Sequence, residues 1–220
     1  MKNALIFYGG WEGHTPRQTA LVFESMLKEE GYHVTMRDQL SILDNYEDIA
    51  NIDLFVPVWT MGSITDKQSA NISRAVSSGA GIAGCHGGMC DSFRNDTTWQ
   101  FMTGAQWVAH PGNSEAVYRV NLKHDNPFTE ELSDFEYHGE QYYMHVDPAV
   151  SVWATTTFPV APGEHVLNGT TLMPVIFTKK WGKGNVFYFS IGHTDRDFSI
   201  PQVKTIMKRG FLWATRKEHA

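Results

Sequence analysis

A glycine-rich segment over residues 79–88 constrains the fold of this chain more than any other stretch. It reads Gly-Ala-Gly-Ile-Ala-Gly-Cys-His-Gly-Gly, a short apolar run that leads directly into small residues around Cys85 and His86. Small residues let a strand turn sharply into a helix and present one reactive side chain at the tip of the turn. In α/β proteins such a turn lies at the carboxyl end of a strand, where ligands bind. The segment therefore predicts a strand, a tight elbow and a helix beside a functional site.

Two residues compete for the tip of this elbow. The usual spacing is glycine, any residue, the reactive residue, any residue, glycine, and Gly84, His86 and Gly88 match it in full. Cys85 fits only if Ala83 takes the place of the first glycine. We favour His86 at the tip and keep Cys85 as the alternative. A third interpretation is that these glycines only pack a helix against a sheet.

The first half of the chain predicts alternating strands and helices. Residues 3–8, 32–36 and 53–58 are apolar and are typical of strands, while helical patterns run from residue 15 to 31 and from residue 65 to 79. This alternation favours an α/β fold with an open, mostly parallel sheet and helices on both of its faces.

The second half is richer in strands. Residues 115–122 and 134–144 alternate between apolar and polar side chains, and a turn signal over residues 180–184 predicts a hairpin. An amphipathic helix over residues 200–215 closes the chain. Because no linker or internal repeat interrupts the 220 residues, we expect a single domain over residues 1–220.

Composition excludes several classes of function. The formal net charge is -6, with 18 Lys+Arg against 24 Asp+Glu and no run of basic residues, which argues against binding to nucleic acid. No apolar run approaches the ~20 residues that a membrane span needs. The two cysteines, Cys85 and Cys90, do not resemble a disulfide framework or a zinc ribbon, so we expect a reducing, cytoplasmic compartment.

Histidine is enriched in the chain, which has ten histidines and seven tryptophans. Five of the histidines lie in apparent strand-end loops: His14, His86, His110, His138 and His193. A single histidine is usually structural, but five in such loops predict a site.

Motifs over almost the whole chain resemble the ThuA-like family, which is named for trehalose utilisation. They are the Gly-rich first loop ending at His14, residues 84–88, residues 99–104 with Trp107 and residues 110–111, residues 134–135 with 140–143, and residues 181–188 leading to residues 192–193. The resemblance implies a fold similar to that of the class I glutamine amidotransferases, which have a flavodoxin-like sheet. It also implies a cytoplasmic protein of carbohydrate metabolism, since members are linked to oxidised glycosides such as keto-derivatives of disaccharides.

The similarity to amidotransferases implies a hypothesis of hydrolysis. Those enzymes use an elbow cysteine and a His-x-Glu pair near the chain end, and His193-Thr194-Asp195 resembles that pair with Asp in place of Glu. If Cys85 holds the tip, an amidase-like triad of Cys85, His193 and Asp195 follows. If His86 holds it, the thiolate nucleophile is missing.

Our main hypothesis is an enzyme that converts a sugar or ketosugar. His86 and His193 would act as general acid and base, because imidazole titrates near neutral pH. Asp195 would orient His193, and Glu140 would be a second acid/base or bind sugar hydroxyls. An isomerisation, or an elimination beside a carbonyl, would suit two histidines and a carboxylate.

Substrate and metal binding follow from the same set of residues. We expect five residues to bind the substrate: Trp11, His14, Trp59, His110 and Tyr142. Trp107 has another aromatic face but reads as a core residue. His86 and His193, together with a carboxylate, would also suit a divalent metal such as zinc or manganese.

Two further alternatives stay open. A flavodoxin-like FMN protein would bind phosphate at the first loop with Thr15 and stack Trp59 on the flavin. A non-catalytic module would bind a sugar without changing it. In every case the expected partner is a small molecule, and pairing with a second copy of the chain as a homo-oligomer also stays open.

Overall fold

The computed structural model describes residues 1–217 of the chain, which contain eleven strands and six α-helices. The strands are β1 Asn3–Gly10, β2 His33–Arg37, β3 Leu54–Thr60, β4 Gly81–Cys85, β5 Ala105–Ala109, β6 Val117–Leu122, β7 Phe135–His138, β8 Tyr143–Val146, β9 Ser151–Phe158, β10 Thr171–Trp181 and β11 Gly184–Phe189. The helices are α1 Pro16–Glu29, α2 Tyr46–Ile49, α3 Asp66–Ser77, α4 Gly87–Cys90, α5 Thr97–Thr103 and α6 Pro201–Ala214. The last three residues of the domain expected over 1–220 lie outside the described residues.

Nine strands form one large sheet in the order β2-β1-β3-β4-β11-β10-β9-β6-β7. The pairs from β2 to β11 are parallel, and those from β11 to β7 are antiparallel. The parallel half has the strand order of a flavodoxin-like fold, in which ligands bind outside the carboxyl ends of the strands. The predicted fold class is confirmed.

Apolar side chains cover both faces of the parallel half. In β1, Ala4 and Ile6 join the core beneath α1 and α6, while Leu5 and Phe7 join the core beneath α3 and α5. A strand buried on both faces needs apolar residues at every position, which is why β1 and β3 are nearly continuous apolar runs. The parallel half of the sheet therefore lies between two layers of helices, and loops follow the carboxyl ends of its strands.

The alternating stretch over residues 134–144 is two strands rather than one. β7 belongs to the large sheet, whereas β8 pairs with β5 in a separate two-stranded ribbon. Gly139 lies at the break because it packs against the Tyr137 ring, where an added β-carbon would lie 2.5 Å from a ring atom. The chain leaves the large sheet there and carries Glu140 to the carboxyl edge of the parallel strands.

Two strands of the second half, β5 and β9, were not predicted from sequence, because neither has a clear period-two pattern of apolar residues. β5 also contains an irregularity between Trp107 and Ala109 that shifts its register against β8. Such bulges re-aim side chains beside functional sites.

Among residues 1–217, no helix is both long enough and apolar enough to cross a membrane.

Candidate functional site

The elbow after β4 places His86 at its tip. Its backbone has φ 46 and ψ -140, in the left-handed region that residues with a side chain rarely adopt. The His86 amide donates to the Phe189 carbonyl at 2.8 Å, and the Tyr188 hydroxyl donates to the His86 carbonyl at 3.1 Å. Gly87 is required next to it, because a β-carbon there would lie 2.5 Å from the His14 ring.

Both ring nitrogens of His86 are engaged. Nδ1 lies 2.9 Å from the carbonyl oxygen of Ser190, and Nε2 lies 3.1 Å from Oε2 of Glu140. The Ser190 carbonyl is an acceptor, and so is Glu140 when it is ionised, so each can accept a hydrogen bond from a ring nitrogen. The ring also stacks on Tyr142, with ring centres 4.0 Å apart. His86 is therefore fixed and buried, with 2% of its side chain exposed.

Glu140 lies at the centre of the site. Its Oε1 faces His193 Nε2 at 3.7 Å and His110 Nε2 at 3.9 Å, while Oε2 accepts from His86. Burial raises the pKa of Glu140, but the hydrogen bond from His86 and the charges of His86, His193 and His110 outweigh it and lower that pKa to about 2. Glu140 is thus an ionised, buried carboxylate with one oxygen turned toward the open side of the site.

Neighbouring side chains hold the segment that carries Glu140. The Gln141 amide donates to Thr156 Oγ1 and to the Thr157 carbonyl, each at 2.9 Å, which attaches the segment to β9. The Tyr118 hydroxyl donates to the Glu140 carbonyl at 3.1 Å. These bonds fix the direction of the carboxylate from both sides.

His14 reaches the site from the loop after β1. Its Nδ1 lies 2.7 Å from Thr60 Oγ1, at the end of β3. Burial, with the charges of His86 and His193, lowers the pKa of His14 to about 2. The pKa of His193 is also lowered, first by burial and then by the charge of His86. Both rings are therefore neutral at neutral pH, and each leaves an imidazole nitrogen able to bind a cation.

Three of these residues can hold a metal ion. One ligand atom from each of His14, Glu140 and His193 lies within 4.8 Å of the other two. Two neutral imidazoles and a carboxylate are the ligands of many zinc and manganese sites. We expected His86 to be a metal ligand with His193, but both of its ring nitrogens are hydrogen-bonded, and the group that could hold an ion contains His14 and Glu140 with His193.

The three residues of the hypothetical hydrolase do not form a hydrogen-bonded triad in the described part of the chain. Cys85 is buried in the core, where burial raises the pKa of its thiol. Asp195 donates its backbone amide to Thr15 Oγ1, and the carboxylates whose charges act on His193 are Glu140 and Asp197. Within residues 1–217, no hydrogen bond links Cys85, His193 and Asp195.

The expected substrate-binding aromatics have different neighbours. Tyr142 is part of the site because it stacks on His86, and Trp11 is 47% exposed beside His14, with ring centres 4.7 Å apart. Trp59 covers Gly9, where a β-carbon would be 2.8 Å from its ring.

His110 belongs to the open side of the site. Its ring lies 6.0 Å from Tyr142 and 5.3 Å from Trp107, and 27% of its side chain is exposed. The bulge in β5 precedes His110, so the irregular backbone there turns its ring toward Glu140.

Sequence reasoning missed three residues that support the site: Thr60, Ser190 and Asp197. Thr60 is hydrogen-bonded to His14 and Ser190 to His86, while Asp197 is hydrogen-bonded to the turn at Thr194. None of the three belongs to a sequence motif. Asp197 accepts from the Thr194 amide at 3.0 Å and is hydrogen-bonded to Tyr137. The only signal available was the position of Thr60 and Ser190 at the carboxyl ends of predicted strands.

The ThuA family model, described as trehalose utilisation, matches residues 3–214. A comparison with curated proteins gives no match. Among solved structures, a protein of Bacteroides uniformis described as ThuA-like has a TM-score of 0.75 and 16% identity, and the match covers 97% of this chain and 91% of that one.

Two other solved structures widen the comparison. A cytoplasmic protein of Salmonella typhimurium LT2 has a TM-score of 0.68 and 14% identity, over 98% of this chain and 100% of that one. A β-galactosidase of Bacillus circulans has a TM-score of 0.63 and 12% identity, over 97% of this chain but only 30% of the enzyme. At these identities the likeness shows the fold alone.

Proposed function

This chain belongs to the ThuA family of trehalose utilisation, and from that premise we propose that it is a cytoplasmic enzyme that acts on a sugar derivative, such as a ketosugar, with the help of a divalent metal. The match to a family of carbohydrate metabolism supports the substrate class. The Salmonella structures described as cytoplasmic proteins support the compartment.

The main observation behind this proposal is the ionised carboxylate of Glu140, whose two oxygens have different neighbours. His86 holds Oε2, so the carboxylate cannot rotate, and Oε1 faces His193 and His110. A hydrogen-bond partner that fixes the direction of a carboxylate in this way is typical of metal and catalytic sites. A plain structural pair of one histidine and one carboxylate would not need two further imidazoles around the other carboxylate oxygen.

His14, Glu140 and His193 would hold zinc or manganese and leave a coordination position open. A metal there would polarise a carbonyl or hydroxyl oxygen of the sugar. His110, whose ring is partly exposed, would exchange a proton with a carbon or oxygen atom of the sugar next to that centre. Tyr142 and Trp11 offer aromatic faces on which a sugar ring can pack.

This arrangement suits isomerisation or elimination beside a carbonyl, because both reactions need a polarised carbonyl and a proton acceptor. It does not suit the cysteine hydrolase, since the thiol of Cys85 is buried and its raised pKa disfavours the thiolate.

Elemental analysis of the untagged protein, purified without chelator, tests the proposal. We expect about one equivalent of zinc or manganese per chain. The variants Glu140→Gln and His193→Gln should lose it. His138→Gln is the matched control, because His138 lies on β7 with 62% of its side chain exposed.

Activity is then followed by NMR with trehalose and a keto-disaccharide as probes. Conversion of the ketosugar by the metal-loaded protein, lost in Glu140→Gln, is the expected result. A protein that neither contains nor binds zinc or manganese would contradict metal assistance.

A further inference from the structure

The loop between β9 and β10 exposes a large amount of apolar surface. Leu167 is 94% exposed and Leu172 is 65% exposed, and Val160 and Val166 are exposed as well. An apolar side chain contributes free energy only when it leaves water, so a leucine that stands in water contributes little to the fold of a single chain. Contiguous exposed apolar surface of this kind usually marks an interaction site.

Contacts within the loop give it a defined shape. The Val166 amide donates to the Gly163 carbonyl at 3.1 Å, and the Gly169 amide donates to the Val166 carbonyl at 3.0 Å. The rings of Phe158 and His165 lie 5.5 Å apart. Leu167 is therefore presented by a formed turn, which lowers the entropy that is lost when a partner buries it.

A cavity of about 430 Å³ lies beside Leu167. His165, Asn168 and Gly169, which are close to Leu167 in the chain, line part of it. Mostly aliphatic and aromatic residues line the rest, namely Val108, Ala109, Pro111, Tyr143, Phe158 and Thr171. An apolar projection and an apolar cavity are thus neighbours on the same surface.

Two stretches of chain, residues 108–117 and residues 159–172, make up this surface, which we call the apolar face. Both stretches line the cavity, and they touch at Gly112, where an added β-carbon would lie 2.9 Å from the β-carbon of Ala161. Nearly all of these residues, about two dozen, are at least partly exposed. A standard protein interface takes roughly 20–30 residues from each side, so the face is large enough for a stable dimer.

The apolar face is poor in charge. Its two stretches contain no lysine or arginine, and their carboxylates are Glu115 and Glu164 alone. Charged residues are 19% of the whole chain, so the face is depleted in them, as the centre of a protein interface is. A nucleic acid or a strongly charged peptide would find few groups here with which to pair.

We propose that the apolar face binds a second copy of the chain across a two-fold axis, so that Leu167 of each copy enters the cavity of the other. A two-fold interface uses the same patch on both copies, and that patch must be complementary to itself. A projecting leucine beside an apolar cavity meets this requirement. The inference goes beyond the proposed function and does not depend on it.

Sedimentation of the untagged protein tests the proposal. We expect a dimer with a Kd in the micromolar range or tighter, as interfaces of this size give. Leu167→Lys should weaken association by at least about 100-fold, because a leucine is lost from each of two equivalent contacts. Its helical content by circular dichroism should not change, since Leu167 is exposed in the single chain.

Leu21→Lys is the matched control for the added charge. Leu21 is an exposed leucine on α1, outside the apolar face. This variant should remain as dimeric as the wild type. Loss of the dimer in Leu21→Lys as well would show that the added charge acts without regard to position, and it would overturn the proposal.

Filling the cavity tests the other half of each contact. Thr171 lines the cavity and is exposed, so Thr171→Trp should obstruct the entering leucine and weaken association as Leu167→Lys does. Thr171→Ser should stay dimeric. A Thr171→Trp protein that dimerises like the wild type would show that the cavity receives nothing from the second copy, and it would overturn the proposal.

A mixture of the two weakened variants tests the two-fold geometry. Leu167→Lys keeps its cavity and Thr171→Trp keeps its leucine, so one of the two contacts can form between them. We expect heterodimers in an equimolar mixture at concentrations where each variant alone is a monomer. A mixture without heterodimers would exclude this reciprocal contact.

Other results would also overturn the proposal. One is a wild-type chain that sediments as a monomer at ~100 µM, well above the expected Kd. Another is a dimer that Leu167→Lys leaves intact, which would place the interface elsewhere. A third is a monomer that carries an apolar small molecule in native mass spectrometry and loses it in Thr171→Trp. The cavity residues and the three candidate metal ligands are different residues, so each of these results is separate from zinc binding.

Discussion

Nε2 of His86 lies 3.1 Å from Oε2 of Glu140, and the two side chains are only 2% and 7% exposed. A buried contact of this kind is costly to break, because the Glu140 charge loses the hydrogen-bond partner of its Oε2 oxygen. Both residues stand at sharp irregularities of the chain, an elbow and a break between two strands. The pair therefore joins the fourth parallel strand to the antiparallel half of the molecule.

Removing one partner of this pair should destabilise the protein more than removing both. We expect His86→Leu to lower the free energy of unfolding by about 3–5 kcal/mol, since it leaves the Glu140 charge buried and unpaired. The double variant His86→Leu with Glu140→Leu should recover part of that loss. Urea denaturation measures all of them, and additive effects of the two single changes would contradict the coupling.

Thr60 should control metal affinity without touching the metal. Its hydroxyl is hydrogen-bonded to Nδ1 of His14 at 2.7 Å, which fixes the direction of the ring and leaves Nε2 for the cation. Thr60→Val should weaken zinc binding by about 10–100-fold in a titration against a competing chelator. Thr60→Ser keeps the hydroxyl and should bind zinc almost as the wild type does. Unchanged affinity in Thr60→Val would show that His14 needs no such support.

A β-carbon at position 87 should disturb the site directly. In Gly87→Ala the new methyl group would lie 2.5 Å from the His14 ring, so the ring must move away from Glu140 and His193. We expect the variant to fold but to lose most of its zinc binding. The control is Gly31→Ala, where nothing lies within 4 Å and only the positive φ of 79 is unfavourable, at a cost of about 1 kcal/mol. That variant should bind zinc normally.

The ion pair between Asp147 and Lys179 should make stability depend on pH. The hydrogen bond from Lys179 lowers the pKa of Asp147 below its unfolded value of about 3.9. The unfolded chain therefore binds the proton first, so the pair stabilises the fold above that value and its contribution is lost as pH falls through the folded pKa. Asp147→Asn should be less stable than the wild type at pH 7, and the difference should shrink below pH ~3 in urea titrations. A constant difference would exclude this origin.

The two thiols should resist alkylation in the native state. Cys85 and Cys90 are buried, and burial raises the pKa of each. Iodoacetamide should therefore modify neither residue until the chain is unfolded in urea, as mass spectrometry can follow. Rapid modification of Cys85 alone in the folded protein would revive the cysteine hydrolase.

The local features were predictable because they depend on near neighbours. The elbow at His86 follows from the glycines around it, and the bounds of α1 and α6 follow from the proline at the first helical position of each and their apolar faces. The apolar strands β1 and β3 reveal their burial in the same way. Each of these signals lies within a few residues of the structure that it predicts.

The remaining parts depend on contacts that are distant in sequence. Gly139 breaks an alternating pattern that reads as one strand, and only packing against Tyr137 shows why. His14 was expected to bind substrate, and its role beside Glu140 and His193 depends on Thr60, 46 residues away. The lowered pKa of Glu140 results from three histidines that no local motif connects.

The loops that bear His14 and His193 meet across nearly the full length of the chain. The Asp195 amide donates to Thr15 Oγ1 at 3.1 Å, a contact between residues 180 positions apart. Bringing together such remote segments is slow, because the entropy of closing the intervening loop must be lost before the contacts form. In refolding, zinc binding should consequently recover later than helical content. The time at which zinc binding recovers would then report the final step of folding.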